Sequence, residues 1–295
     1  MEHENTLSGV TIAFIGAGNM GEAMIHGLLK QNLVEPEQII AADPHTERGA
    51  YLVERYGVRF TTDNLAAGTQ ANILVLSVKP QVLERVLPEV RGGARTCSLV
   101  LSIVAGASIR QIADGLANAC VVRVMPNTPA RIGQGISVWT ATAEVPERQR
   151  DHARLLLRAL GKEIYVDDES YLDMATALSG TGPAYVFLFM EAMIDAGVHM
   201  GFSRSISEQL VYQTIRGSVE YAAQSGDHVA MLRNQVTSPG GTSAEAIYHL
   251  EKGGLRTVIA RAIWAAYQRS VGLGGGRKVS RLAGRHPENS ESDEE

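Results

Sequence analysis

The sequence has few of the features that mark several large classes of protein. Only two of its 295 residues are cysteines, Cys97 and Cys120, which excludes a disulfide-stapled scaffold; we expect reduced, buried thiols within core strands. No spacing of histidine, cysteine or acidic residues resembles a metal site, so no metal is expected. The net charge of −5 argues against nucleic acid as a partner.

Long apolar runs are also absent. Residues 1–8 are polar and acidic and lack the apolar core of a signal segment, and no stretch reaches the length that spans a bilayer. We therefore expect a cytoplasmic protein without membrane contact. The hydrophobic content of 45% is enough for one large or two moderate cores, and a change of pattern near residue 167 favours two.

A glycine-rich turn near the start of the chain carries the first functional motif, Gly16-Ala17-Gly18-Asn19-Met20-Gly21. An apolar run precedes this turn and helically spaced apolar residues follow it, which is the strand–turn–helix context that the motif requires. Gly16 makes the tight turn, Gly18 lets a pyrophosphate approach the backbone, and Gly21 allows the helix to pack closely on the strand. The motif predicts dinucleotide binding, with an ordinary strand-to-helix turn as the alternative reading.

Strand-like and helix-like segments alternate after the motif, which predicts a mostly parallel, doubly wound sheet. Ligands bind at the carboxyl ends of such strands, where Ser77-Val78-Lys79-Pro80, Ala105-Gly106-Ala107 and Met125-Pro126-Asn127 follow apolar runs. The predicted strands after the first are 38–42, 72–78, 97–104, 120–125, 136–140 and 162–166, and the helices are 46–56, 82–90, 109–117 and 146–160.

Asp43 ends the second predicted strand, about 20 residues beyond the glycine turn, where an acidic side chain hydrogen-bonds the adenosine ribose of NAD. Arg48 lies near enough in the sequence to pair with the 2′-phosphate of NADP instead. The choice between NADP and NAD therefore stays open. Asp43 could also serve as the N-cap of the following helix, since Pro44 suits the first turn.

Helical spacing replaces strand-like alternation beyond the polar segment 167–170. A long helix over 171–201 is predicted, kinked or split by Ser179-Gly180-Thr181-Gly182-Pro183. Its segment 184–190 is apolar on all sides yet too short to cross a membrane, which predicts a buried core helix that is also part of a subunit interface. We expect a homodimer or a higher homo-oligomer. Further helices are predicted at 205–224, 227–234, 244–250 and 255–271.

A second glycine-rich turn, Ser238-Pro239-Gly240-Gly241-Thr242-Ser243, precedes one of these helices. Glycines free its backbone, hydroxyl groups surround it, and the N-terminus of the next helix offers unpaired N–H groups to an anion. The turn therefore predicts a site for a small acidic substrate, with a plain capped helix as the alternative.

These motifs, together with Leu178-Ser179-Gly180-Thr181-Gly182-Pro183-Ala184-Tyr185, resemble in order and spacing the motif series of pyrroline-5-carboxylate reductases, from about Val10 to Arg269. The resemblance implies an α/β Rossmann dinucleotide-binding domain at residues 1–168 and an all-α dimerisation domain at 169–271, with the active site where the domains meet at the dimer interface. It also implies reduction of 1-pyrroline-5-carboxylate to proline with NADPH or NADH.

The resemblance assigns roles to individual residues. Ser243 would be the proton donor, although several relatives carry threonine there, so this chain keeps the hydroxyl but loses the methyl that fixes its rotamer. Ser238, Gly240, Gly241, Thr242 and Ser243 would bind the substrate, whose carboxylate the amides of 241–243 would hold. The cofactor would be bound by Gly16, Ala17, Gly18, Asn19, Met20, Gly21, Asp43, Asn64, Val78, Lys79, Pro80, Ala105 and Gly106.

Two other functions remain open. A β-hydroxyacid dehydrogenase shares the domain order but needs a catalytic lysine on its first long helix, and no lysine occurs between Lys162 and Lys252. A catalytically silent dinucleotide-binding dimer would not need the second anion site. His199 and His249 lie outside the motifs and are interpreted as core or surface residues.

The segment 272–295 ends the chain with three consecutive glycines, a basic patch and an acidic stretch. Its apolar content is too low to support a packed core, so we expect a disordered tail.

Overall fold

The computed structural model describes residues 7–274, and within them eight strands form one sheet in the order β3-β2-β1-β4-β5-β6-β7-β8. All neighbouring strands run parallel except β6 and β7, which are antiparallel. The strands are β1 Ile12–Ile15, β2 Ile39–Ala42, β3 Arg59–Thr61, β4 Ile73–Leu76, β5 Leu99–Ser102, β6 Val121–Met125, β7 Gly135–Ala141 and β8 Gly161–Tyr165.

Helices cover both faces of this sheet and then form a separate, all-helical part. The sheet domain contains α1 Asn19–Lys30, α2 Thr46–Tyr56, α3 Asn64–Gln70, α4 Leu83–Ala94, α5 Ile109–Leu116 and α6 Glu147–Arg158. The helical domain contains α7 Tyr171–Ala175, α8 Gly182–His199, α9 Arg204–Ser225, α10 Val229–Gln235, α11 Thr242–Lys252 and α12 Leu255–Leu273.

Side chains on successive positions of the central strands pack into two different cores. Ile12 and Phe14 belong to the core on one face of the sheet, whereas Ala13 and Ile15 belong to the core on the other. All four residues are fully buried, which is why β1 is apolar without alternation. The predicted Rossmann sheet with a C-terminal helical domain is confirmed.

The sequence missed β3 and α3 because neither has a strong pattern. Arg59 is exposed at the edge of the sheet, and α3 is a short helix whose N-cap Asp63 accepts a hydrogen bond from the Ala66 N–H at 3.0 Å. The antiparallel direction of β7 was also not foreseen. Only a short segment joins β6 to β7, and parallel neighbours need a longer crossover.

The expectation that both cysteines are buried within core strands is wrong. Cys97 is buried just before β5, where its thiol faces the carbonyl oxygens of Gly68 and Ala71, and burial raises the pKa of this thiol to about 11. Cys120 precedes β6 and is only half-buried. Both are free thiols.

A π-helical turn, Thr176–Gly180, joins α7 to α8 and overlaps the start of the glycine motif of the helical domain. Thr181 donates its N–H to the Thr176 carbonyl at 2.8 Å, a hydrogen bond to the fifth preceding residue instead of the fourth. The predicted interruption thus takes the form of this π turn and the cap residue Thr181, and the helical run as a whole continues from Tyr171 to His199.

The expectation that no segment reaches membrane-spanning length is wrong, because this helical run is continuous. Tyr171–His199 forms a run of 29 residues that is long and apolar enough to cross a membrane by length and composition alone. Its apolar side chains are largely exposed in the single chain, among them Phe187 at 61% and Leu188 at 68%, so the prediction that 184–190 is a core helix is wrong for the single chain.

The last helix is longer than predicted. It continues to Leu273, two residues past the expected end at Val271, because its last turn lies against the turn that follows β5. Residues 272–274 are therefore part of the structure, and the rest of the predicted tail lies outside the described residues.

Candidate functional site

The glycine turn between β1 and α1 has the geometry that its sequence predicts. Gly16 has φ +92°, and a Cβ there would lie 2.8 Å from Val78 Cγ1. A Cβ on Gly21 would lie 2.7 Å from the Gly16 carbonyl oxygen, so these two positions require glycine.

The space beside Gly18, the second glycine of the motif, is open. Gly18 is the exposed N-cap of α1 without a side-chain cap, and a Cβ built on it would have no described atom within 4 Å. This cradle, at the positive end of a helix, fits the pyrophosphate of a dinucleotide. Asn19 and Met20 form the first turn of α1 beside it.

The side chain of Asp43 fixes this turn from the end of β2. Its Oδ2 accepts the Ala17 N–H at 3.0 Å, and its Oδ1 accepts the His45 N–H at 3.0 Å and contacts His45 Nδ1 at 2.8 Å. Burial by itself would raise the pKa of Asp43, but the hydrogen bonds from His45 and Ala17 outweigh it and hold the pKa below its ordinary value. The N-cap of α2 is His45, so the alternative reading of Asp43 as that N-cap is wrong.

A cluster on α1 and α2 lies next to Asp43. Arg48 donates from Nε to the Ala17 carbonyl at 2.7 Å, and its Nη2 pairs with Glu22 on α1. Glu22 also accepts hydrogen bonds from the hydroxyls of Tyr51 at 3.0 Å and Tyr56 at 2.8 Å. No sequence pattern pointed to Glu22, because its partners lie on α2, one helix further along the chain.

Asn64 lies at the same edge of the sheet as Asp43, since the Asp43 N–H donates to the Thr61 carbonyl at 3.3 Å just before α3. The Asn64 side chain donates from Nδ2 to Glu89 Oε2 at 2.7 Å. Its position fits the expected place beside the adenosine ribose.

Two further turns follow the neighbouring strands β4 and β5 and reach the same edge. Val78, Lys79 and Pro80 follow β4, and Ser77 donates its hydroxyl to the Gly16 carbonyl at 2.6 Å, which ties this turn to the glycine motif. The expected residues for the nicotinamide half are therefore close to the pyrophosphate cradle.

Ala105 and Gly106 follow β5, and helix α12 ends against them. Gly106 has φ +75°, and a Cβ there would lie 2.8 Å from the Cβ of Leu273. The end of the helical domain thus covers one side of the predicted nicotinamide region. No local sequence motif pointed to Leu273, because its contact with Gly106 joins distant parts of the chain.

The second glycine turn lies at the N-terminus of α11, as predicted. Gly240 has φ +70°, and Gly241 is the N-cap without a side-chain cap. The Gly241 N–H already donates to the Ser238 carbonyl at 3.0 Å, which closes the turn. Of the three amides expected to hold a carboxylate, those of Thr242 and Ser243 therefore remain as first-turn donors.

This second turn is exposed in the single chain. Ser238, Pro239, Gly240 and Thr242 are all exposed, and the hydrogen bonds of the turn are local. The structure thus brings together the residues predicted to bind the dinucleotide, whereas the turn predicted to bind the substrate stays exposed.

Residues 7–274 contain no group of three or more His, Cys, Asp or Glu side chains that could hold a metal ion. His199 and His249 are both exposed on helices, and His249 pairs with Glu245 at 3.3 Å. Neither histidine belongs to the turn 238–243 at the N-terminus of α11.

The fold and the first glycine turn define the class: a dinucleotide-binding Rossmann protein with a C-terminal helical domain. The family "Pyrroline-5-carboxylate reductase dimerisation" matches residues 169–273, and the family "NADP oxidoreductase coenzyme F420-dependent" matches residues 11–106.

Individual relatives match most of the chain. Pyrroline-5-carboxylate reductase from Synechocystis sp. is 41% identical over 90% of this chain and 98% of its own length. The enzyme of that name from Pseudomonas aeruginosa is 41% identical over 89% of this chain and 96% of its own length. The crystal structure of the Plasmodium falciparum pyrroline carboxylate reductase with NADP bound matches with a TM-score of 0.83 and 32% identity, covering 90% of this chain and 98% of that one. The chain belongs to the pyrroline-5-carboxylate reductase family of oxidoreductases.

Proposed function

We propose that the protein reduces 1-pyrroline-5-carboxylate to L-proline, the final step of proline biosynthesis, with NADPH or NADH as the hydride donor. Membership of the family and the match to an NADP-bound relative support this proposal. The dinucleotide supplies a hydride when bound, and the residues of this chain position the two reactants.

The turn at the N-terminus of α11 is the observation that carries the proposal. Gly240 and Gly241 have no side chains that would keep an anion away from the backbone, and no side chain caps the helix. The amides of Thr242 and Ser243 are therefore available to the substrate carboxylate. Ser238 contributes a hydroxyl at the start of the same turn. A protonated cyclic imine needs a hydride on carbon and no strong general base, which suits a site built from amides and hydroxyls.

Ser243 is proposed as the residue closest to the ring nitrogen, where its hydroxyl donates a hydrogen bond to the nitrogen of the substrate. Serine keeps the oxygen that this role needs but has a freer rotamer than threonine.

The dinucleotide site is proposed to use the residues at the carboxyl edge of the sheet. The pyrophosphate lies on the cradle 16–21, including Ala17, Asn19 and Met20, and the adenosine ribose lies near Asp43 and Asn64. The nicotinamide half is proposed to contact Val78, Lys79, Pro80, Ala105 and Gly106.

The site is proposed to be completed in a homodimer or a higher homo-oligomer. Around α8, the consecutive apolar residues Val186, Phe187, Leu188 and Phe189 are all exposed in the single chain, and exposed apolar surface of this kind marks an interaction site. Glu191 and Asp195 lie on the same helix, and the matching family is described as a dimerisation family, so we assign this surface to a second copy of the chain and not to lipid. A partner chain would then bring its turn 238–243 to the nicotinamide region.

We place the boundary between the domains after residue 168, since the sheet ends at Tyr165 and α7 begins at Tyr171. The helical domain then ends with α12 at Leu273. We further propose a cytoplasmic location and no contact with nucleic acid or membrane, in line with the net charge and the role of relatives in amino-acid synthesis.

Turnover with a cyclic imine tests the proposal directly. The purified chain is mixed with 1-pyrroline-5-carboxylate and NADPH or NADH, and dinucleotide oxidation is followed by absorbance while proline is quantified by chromatography. We expect equal amounts of oxidised dinucleotide and proline. Oxidation of β-hydroxy acids without imine reduction would favour the dehydrogenase alternative, and dinucleotide binding without turnover of either would favour a silent protein.

A further inference from the structure

An ion pair between α1 and α2 lies beside the proposed adenosine end of the dinucleotide site. Arg48 pairs with Glu22, and the side chains are only 26% and 15% exposed. Arg48 also donates to the Ala17 carbonyl at 2.7 Å. The guanidinium is thus bound twice, once to a carboxylate and once to the backbone of the glycine turn itself.

Glu22 is held firmly in its charged form. Burial by itself would raise the pKa of Glu22, but hydrogen bonds from Arg48, Tyr56 and Tyr51 outweigh it and hold the pKa below its ordinary value. The two tyrosine hydroxyls orient Oε1, which leaves Oε2 for Arg48.

Dinucleotide-binding domains distinguish their cofactors at this edge of the sheet. An acidic residue at the end of the second strand bonds the ribose 2′-hydroxyl of NAD, whereas a nearby arginine accommodates the 2′-phosphate of NADP. This chain has both, in Asp43 and Arg48. The contacts of Arg48 separate the two possibilities, because its charge is already neutralised.

We propose that Glu22 determines the dinucleotide preference by holding Arg48 away from the 2′ position, so that the protein favours NADH over NADPH. The inference rests on the proposed dinucleotide-dependent function. If Arg48 turned to a 2′-phosphate, it would leave the largely buried carboxylate of Glu22 without its cation. A 2′-phosphate would also meet the ionised Asp43, whose side chain is 13% exposed beside the exposed imidazole of His45.

Nucleotide fragments test this inference without turnover. Dissociation constants for 5′-AMP and 2′,5′-ADP, which differ only in the 2′-phosphate, are measured by isothermal titration calorimetry on the wild-type chain, on Glu22→Gln and on the double variant Glu22→Gln/Arg48→Met. We expect the wild type to bind 5′-AMP more tightly than 2′,5′-ADP. Releasing Arg48 to form charge-assisted hydrogen bonds should improve the relative affinity of Glu22→Gln for 2′,5′-ADP about tenfold.

The double variant separates release of the guanidinium from simple loss of a negative charge. Removing Arg48 should abolish most of the increase in relative affinity for 2′,5′-ADP that Glu22→Gln produces. Glu47→Gln is the matched control, since Glu47 is an exposed carboxylate in the first turn of α2. The ratio of its two nucleotide dissociation constants should stay within about twofold of the wild-type ratio.

Three results would overturn the inference: tighter binding of 2′,5′-ADP by the wild type, an unchanged ratio in Glu22→Gln, or a gain that persists in the double variant. If the wild-type protein bound neither nucleotide, that result would refute the proposed dinucleotide site and the proposed function with it. Binding of both fragments with no effect of Glu22→Gln would leave the proposed function standing and refute only the role of Glu22.

Discussion

Replacing Arg123 by methionine should weaken the attachment of the helical domain to the sheet. Arg123 is a buried residue of β6 whose Nη1 lies 2.6 Å from Glu169 Oε1 and whose Nη2 lies 3.8 Å from Asp173 Oδ1. Glu169 also accepts the Ile109 N–H at 2.7 Å, and Asp173 accepts the hydroxyl of Ser270 at 2.6 Å. One guanidinium thus connects the sheet to α7 and, through Asp173, to α12.

The exposure of the two carboxylates sets the expected magnitude. Removing one partner from a fully buried ion pair costs about 3–5 kcal/mol. The side chains of Glu169 and Asp173 are 32% and 21% exposed, so water can partly solvate them after the substitution. We therefore expect a loss of about 2–3 kcal/mol in the free energy of unfolding.

The two tryptophans of the chain allow each domain to be followed separately. Trp139 is fully buried on β7 of the sheet domain, and Trp264 lies on α12 of the helical domain. Guanidinium unfolding is measured by fluorescence in the Trp139→Phe and Trp264→Phe backgrounds, with and without Arg123→Met. We expect the Trp264 signal to change at a lower denaturant concentration than the Trp139 signal once Arg123 is lost.

Arg154→Met is the matched control, because Arg154 also has two carboxylate partners but both lie on its own helix, α6. Exposed pairs of this kind contribute about 0–1 kcal/mol. If Arg123→Met cost no more than Arg154→Met, or if both tryptophans reported the same small shift, the ion pairs of Arg123 would not be what joins the domains.

Three further outcomes are expected. Leu188→Glu should raise the dissociation constant of the homo-oligomer at least about a hundredfold in light scattering, because each copy loses a leucine that is 68% exposed in the single chain and is proposed to be buried by the partner; an unchanged mass would place the interface elsewhere. Ser243→Ala should lower kcat/KM at least about tenfold while the NADPH dissociation constant stays within about twofold; equal loss of both would move the substrate away from α11. Asp43→Asn should destabilise the protein more at pH 7 than at pH 3 in urea unfolding, because a carboxylate with a lowered pKa contributes its full stability above its ordinary value of 3.8 and loses it as the pH falls toward and through the native value; a difference that does not depend on pH would contradict this.

The candidate site shows which residues a sequence can reveal. Gly16 and Gly21 were predictable because a turn with φ near +92° and a close helix crossing each demand glycine within a few residues of a strand. Glu22 was not, because it lies in an ordinary first turn and acquires its role from Arg48, 26 residues further on. Leu273 was missed for the same reason, since only folding brings it to Gly106.

Local patterns determined the main elements of this protein. Apolar runs, helical spacing and glycine turns act over short stretches of chain, so the sequence alone specified seven of the eight strands, the two glycine turns and the change from sheet to helices. The tertiary structure alone decided the antiparallel β7, the π turn that keeps Tyr171–His199 continuous, and the partners of Asp43, Arg48 and Arg123. Those features depend on contacts between residues far apart in the chain, and whether a charged side chain faces a ligand or a neighbour is settled only when the surrounding elements pack.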